Sequence, residues 1–246
     1  MDKLIYTAMS GAHQSMLAQA IYANNLANVD TPGFRADYAN ATAAMLKGGQ
    51  YHSRALVSSD AAGSVFSPGV VSATDRDLDV SINGDGWFSV LDSSGQEAYT
   101  RSGNWSVEDS GALKTQTGYQ IMGSAGPIVL PAHQKIEFAV DGQISVRPLG
   151  ANPNALVQVD RLKLVNDETG DLVKGADGLF RPKNNNTLSL DPNIRVTAGA
   201  LEGSNVNAIE SLLSIVNLSR QFEMQMKEIT QAADLDEASN RLLRLS

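Results

Sequence analysis

The sequence predicts an α+β fold: a mainly antiparallel, all-β central domain flanked by long N- and C-terminal amphipathic helices that form a coiled-coil-like pair. Apolar residues recur at helical spacing at both chain ends, and the period falls to two over the middle. Turns bearing Gly, Asn or Asp divide that middle into short runs. With 246 residues, 42% apolar and 19% charged, the chain has the size and composition to bury a core.

Near the start, Ile5, Met9, Ala12, Met16, Ala23 and Leu26, with Gln19 between, follow a spacing of four and three that predicts a helix over residues 3–28. A seam of Ala, Met and Gln buries little surface, so this helix needs a partner. The other end supplies one. Ile209, Leu212 and Val216, then Phe222, Met226, Ile229 and Ala233, then Leu235, Ala238 and Leu242 predict a helix over 207–244. Asn207 stands at its N-cap, with Glu210 three residues on. The step from Val216 to Phe222 reads as a stutter in the seam or as two contact surfaces.

Between the helices, Leu78–Ile82, Trp87–Leu91, Tyr99–Arg101, Trp105–Val107, Tyr119–Ile121, Ile128–Leu130, Ile136–Val140, Ile144–Val146 and Leu162–Val165 read as short strands. Turns are expected at Gly84 and Gly86, Gly95, Gly111 and Gly142. Residues 35–75, with Gly48-Gly49 and Ser67-Pro68-Gly69 but no sustained periodicity, read as an extended linker or arm. The expected organisation is therefore a helix and turn over 1–34, the arm over 35–75, the β domain over 76–200 and a helical segment over 201–246.

A net charge of −8 and a pI near 4.8 oppose binding to a phosphate backbone, and no basic patch offsets them, so nucleic acid is not expected as a partner. The absence of cysteine removes thiolate chemistry and Cys-ligated zinc. No apolar run approaches the ~18 residues needed to span a bilayer, and no basic n-region precedes an apolar h-region, so neither a membrane span nor a cleaved signal peptide is expected.

His13, His52 and His133 fall in no ligand spacing. Asp75, Asp77 and Asp79 imitate the start of a calcium loop, but Val80 stands where Gly is needed and Gly86 where Glu is needed. Gly170 and Gly175 match the glycines of a phosphate loop, yet Ala176 and Asp177 replace its Lys and Ser/Thr. Trp87, Trp105 and Tyr119 could form a carbohydrate platform, but aromatics at alternating strand positions more often fill a core. No catalytic, metal-ligating or cofactor-binding residue is assigned, and the chain is read as a building part with no reaction to run. A secreted β-rich binding module or glycosidase is the alternative from a different class.

The run Ala23-Asn24-Asn25-Leu26-Ala27-Asn28-Val29-Asp30-Thr31-Pro32-Gly33-Phe34 resembles a signature of bacterial flagellar axial proteins, the family of rod, hook and hook-associated subunits. Physically, Asn28 ends the helix, and Pro32-Gly33 suits the centre of a type II turn. Leu78–Phe88, Tyr99–Gly103 and Leu201–Val206 are similar to further motifs of the family, so the resemblance covers nearly the whole chain. Ile5–Met9 and Phe222–Lys227 look most like a proximal-rod member, with a distal-rod or hook subunit as the alternative within the class.

The resemblance implies a structural rod subunit that links proximal and distal rod and is exported by the flagellar type III apparatus to the periplasmic part of the basal body. It would contact other rod proteins and copies of itself. The residues expected to make subunit contacts are Ile5, Met9, Met16, Asn24, Asn25, Leu26, Asn28, Pro32, Gly33 and Phe34 near the N-terminus. Gly203, Ser204, Asn205, Val206, Ile209, Val216, Phe222, Met226, Ile229 and Leu242 complete the set.

Overall fold

A computed structural model of the chain describes residues 2–45, 55–150, 152, 155–167, 170–184 and 186–244. Mainly antiparallel sheets lie in sequence between two helices, α1 (Asp2–Ala27) and α2 (Ala208–Arg244). The residues gather into two compact units: Met1–Asn28 with Ala36–Val65 and Val206–Ser246, and Val29–Arg35 with Phe66–Asn205.

In the first unit α1 and α2 pack side by side, in contact near their midpoints, where Ser15 Oγ lies 3.3 Å from Gln225 Oε1. On α1, buried Ala8, Ala12 and Ser15 are followed at the same spacing by half-buried Gln19, Tyr22 and Leu26. On α2, Ile215, Leu218, Phe222, Gln225 and Ile229 lie half-buried between buried Ser211 and Ala232. The seam therefore differs in phase from the expected one. Met9, Met16 and Ala23 point outward, and burial on α2 runs through the expected stutter without a break. On α1 the cause is size: the first half of its seam is Ala8, Ala12, Ser15 and Gln19, whereas the sequence pattern follows the larger Met side chains. Asn207 caps α2 as expected, its Oδ1 accepting the backbone N–H groups of Ile209 and Glu210.

The same unit holds an antiparallel hairpin of Asp37–Met45 and Ala55–Ser64, with Asp37 opposite Ser64 and Met45 opposite Ala55. The expected linker over 35–75 is corrected here. Strands rich in Ala, Ser, Thr and Asn lack the apolar–polar contrast by which alternation is read. Gly48-Gly49 and His52 lie outside the described residues.

In the second unit the largest sheet runs Leu172–Lys174, Phe180–Pro182, Glu97–Thr100, Trp87–Leu91, Gln120–Ile121, Leu113–Thr115, Trp105–Val107, all antiparallel. Leu164–Val165 also pairs with Trp87–Leu91. A separate meander joins His133–Phe138, Gln143–Pro148 and Val157–Arg161. Arg195–Ala198 pairs with Val80–Asn83, and Ala200–Glu202 with Val71–Ala73.

Alternation along Trp87–Leu91 divides its side chains between two clusters. Phe88 and Val90 join Trp105, Leu113, Ile144 and Leu164, while Trp87 joins Tyr99, Val165, Leu172 and Phe180. Both tryptophans are core residues, Trp105 edge-on to Phe88 at 4.9 Å. Gly84, Gly86, Gly95, Gly111 and Gly142 all hold positive φ, as their turns require. Ile128–Leu130 is no strand, because its backbone bonds scatter to Ile121, Leu113 and Gly111. Leu172–Lys174, Phe180–Pro182 and Arg195–Ala198 are further strands, not expected from the sequence.

Candidate functional site

The family-like motifs Thr31–Phe34 and Tyr99–Gly103 meet Leu201–Asn205, the part of the third motif that lies in the second unit, at one place. Thr31 C=O accepts from Phe34 N–H at 3.2 Å, and Gly33 holds φ +70°, which together make the expected type II turn. Gly33 N–H donates to the Glu202 carbonyl at 2.8 Å, and Asn205 N–H to the Phe34 carbonyl at 3.3 Å. A Cβ at Gly33 would stand 2.4 Å from the carbonyl carbon of Arg101, so the turn closes onto that backbone with no room for a side chain. Lys174 completes the lock on the turn. Its Nζ donates to the Arg35 carbonyl at 2.8 Å and lies 3.8 Å from the Phe34 ring centroid.

At the centre is the Glu202 carboxylate. Oε1 lies 2.7 Å from Arg35 Nη2 and accepts Gly69 N–H at 2.9 Å, while Oε2 accepts Arg101 Nη1 at 3.1 Å. All three side chains are sealed from solvent. Arg101 also donates to the Gly84 carbonyl at 2.7 Å and stands over the Trp87 ring at 5.5 Å. Burial lowers the Arg101 pKa, and the charge of Glu202 opposes that shift. Glu202 therefore ties the segment arriving from Thr31 to the segment leaving through Asn205, and both to the β domain. Its chemistry is positional: a doubly paired buried carboxylate is neither a free base nor a nucleophile.

The first unit presents a different surface. Tyr6, Met9 and Met16 on α1 are exposed, and so are Ile209, Leu212, Leu213 and Val216 on α2, with Ile209 reaching 71%. Large apolar side chains thus remain outside a seam that is small in the middle of α1 and apolar along α2, so the helix pair carries more apolar surface than it covers itself.

The residues expected to make subunit contacts fall into three groups. Met9, Met16, Asn24, Ile209, Val216 and Met226 are exposed. Ile5, Leu26, Asn28, Phe222 and Ile229 are half-buried in the first unit; Pro32, Phe34, Gly203, Ser204 and Asn205 are half-buried in the second. Val206, half-buried, opens the last segment of the first unit. Asn25 and Gly33 are buried, and the side chain of Leu242 lies outside the described ones.

Asn25, one of the residues expected to make subunit contacts, hydrogen-bonds within the chain. Its Nδ2 donates to the Asp37 carbonyl at 2.7 Å and its Oδ1 accepts Asp37 N–H at 2.9 Å. The motif residues had no assigned partner chemistry in Arg35, Arg101 and Glu202. The available signal was an acid ending the strand Ala200–Glu202, an arginine inside Tyr99–Gly103 and another directly after Phe34. Among the described residues no three His, Asp or Glu side chains gather as a metal cage. Asp79 instead accepts from Thr74 Oγ1 at 2.8 Å.

Comparison with known proteins covers both units. Residues 5–35 match the family model "Flagella basal body rod protein", 81–146 match "Flagellar hook protein FlgE/F/G D1 domain", and 197–242 match "Flagellar basal body rod FlgEFG protein C-terminal". The chain is 41% identical over 252 aligned residues to the flagellar basal-body rod protein FlgF of Salmonella typhimurium, with all of both chains covered. It is 40% identical to FlgF of Escherichia coli, again across the whole of both chains. Similarity to the rod protein FlgG of Caulobacter vibrioides is lower, 28% over 260 residues, covering 96% of this chain and 97% of the relative. The chain belongs to the FlgF family of flagellar basal-body rod proteins, the structural subunits of the rod.

Proposed function

We propose that this subunit links proximal and distal rod in the drive shaft needed for motility, through terminal helices that pair in a coiled-coil-like way and dock against those of neighbouring rod proteins and of its own copies. The observation that carries this reading is the apolar surface the helix pair leaves uncovered, Met9 and Met16 on α1 and Ile209, Leu212, Leu213 and Val216 on α2, all outside the seam. Segments 1–34 and 201–246 then serve as the tube-forming parts and 76–200 as the outer domain. The buried Glu202 hub fixes where the chain enters and leaves the β domain, with Val29–Arg35 and residues up to Asn205 held in the β unit. The reading makes the chain a non-catalytic part, delivered by the flagellar type III export apparatus to the periplasmic section of the basal body.

Deleting the gene and imaging basal bodies tests it. The expected result is a rod arrested before its distal segment, restored by the intact gene. Complete rods in the deletion strain would overturn the linking role.

A further inference from the structure

Gly11 lies in the interior of α1, where glycine costs roughly 1 kcal/mol relative to alanine. Its place is explained by Gln225. A Cβ at Gly11 would stand 2.7 Å from Gln225 Nε2 and 3.3 Å from Cδ, so the amide seats against bare backbone and a side chain there would push it out of its place. One turn further, Ser15 is buried, with its Oγ 3.1 Å from the Gly11 carbonyl and 3.3 Å from Gln225 Oε1. Gly11 and Ser15 thus form a notch on α1, one side missing a side chain and the other carrying a hydroxyl. Gln225 enters it from the α2 seam between Phe222 and Ile229.

The remaining seam repeats in heptads: Ile215, Phe222 and Ile229 on α2 are seven apart and all apolar, so a slide of one heptad exchanges one apolar residue for another, whereas a polar seam residue specifies register. A slide of one heptad would carry Gln225 from the notch to the level of Leu4 and Ala8, or of Ala18 and Tyr22. Those positions have side chains in the way, and neither pair repeats the gap beside a short hydroxyl. We infer that the Gln225 amide, seated in the Gly11–Ser15 notch, fixes the register in which α1 and α2 pair. Register in turn decides how the outward rows Tyr6–Met9–Met16 and Ile209–Leu212–Val216 line up on one surface. The inference concerns the pairing within one chain and stands apart from the linking role in the rod.

The test is a double-substitution cycle in the full-length protein, with Gly11→Ala, Gln225→Ala and the two combined. Backbone hydrogen exchange reads the protection of α1. Electron–electron distance measurement between nitroxides on cysteines placed at exposed Leu17 and Met224 reads the register, since the chain has no cysteine of its own. The wild-type chain is expected to show a protected α1 and one narrow distance. Gly11→Ala should push the flexible amide out of the notch and Gln225→Ala should remove it, so each alone should spread the distance into more than one population. The combined variant should spread it no further than either single one, because both changes break the same contact. An unprotected α1 in the wild-type chain, a single unchanged distance in Gln225→Ala or in Gly11→Ala, or a combined spread equal to the sum of the two would each overturn the inference.

Discussion

Glu202 and Arg35 face each other at 2.7 Å with both side chains withdrawn from water, and Arg101 approaches the other carboxylate oxygen at 3.1 Å. One carboxylate therefore pairs with two buried guanidiniums. Glu202→Gln keeps the shape and an acceptor for Gly69 N–H but leaves Arg35 without its paired charge and Arg101 with only the through-space charge of Asp85. Unfolding of the full chain in denaturant is expected to show a loss of about 3–5 kcal/mol. Arg35→Met leaves one carboxylate with one guanidinium and should cost less. A smaller loss for Glu202→Gln than for Arg35→Met would contradict this charge balance.

Gly33 and Gly84 hold similar backbone angles, φ +70° and +80°, in different surroundings. A Cβ at Gly84 meets nothing within 4 Å, whereas one at Gly33 meets the Arg101 carbonyl carbon at 2.4 Å and Ser102 N at 2.5 Å. Gly84→Ala should therefore cost only the conformational penalty, about 1–2 kcal/mol. Gly33→Ala should cost at least about 3 kcal/mol, because backbone must also move. Denaturant midpoints of the two variants check the difference.

Arg181 is held by Asp177 at 2.6 Å and by Asp92 at 2.8 Å. Hydrogen bonds from Ser94 and Arg181 hold the Asp92 carboxyl well below its ordinary range, and Arg181 lowers Asp177 as well. Depressed folded-state values mean that this stabilisation is complete above the unfolded-state pKa, about 3.9, and drains away as pH falls through the folded values. Unfolding midpoints followed downward from about pH 6 should fall steeply below about pH 4, and Arg181→Met should flatten that fall. An identical acid profile in the variant would show that other carboxylates govern it.

Asn25 acts as a strand partner made from a side chain, exchanging two hydrogen bonds with the backbone of Asp37. Asn25→Leu leaves that N–H and C=O without these partners and should destabilise the first unit by about 1–3 kcal/mol. The Asp37 amide should exchange with solvent faster in the variant. Unchanged exchange at Asp37 would mean that the pairing contributes nothing.

Much of the fold was legible because long periodic segments leave strong signals. The spans of α1 and α2, the cap at Asn207 and the turn at Pro32-Gly33 all follow from local chemistry. The hairpin of Asp37–Met45 and Ala55–Ser64 was not legible, since Ala, Ser and Thr mark neither face of a strand. The phase of the helix seam was misread for a related reason. Large side chains attract attention as core, yet here Ala8, Ala12 and Ser15 are buried while Met9 and Met16 stay in water. The hub at Glu202 was hidden for a third reason. Its charges come from segments far apart in sequence, and only the fold brings Arg35, Arg101 and Glu202 to one point.

The central claim is that the outward apolar rows of α1 and α2 are covered by neighbouring subunits. The chain has no cysteine, so single cysteines at Met9 and Val216, exposed by 53% and 48%, report on it directly. Maleimide labelling should be rapid at both positions in the purified full-length chain and suppressed in isolated basal bodies, while a control cysteine at exposed Ser94 of the β domain labels in the free chain. Equal labelling of Met9→Cys and Val216→Cys in the free chain and in the rod would contradict the account.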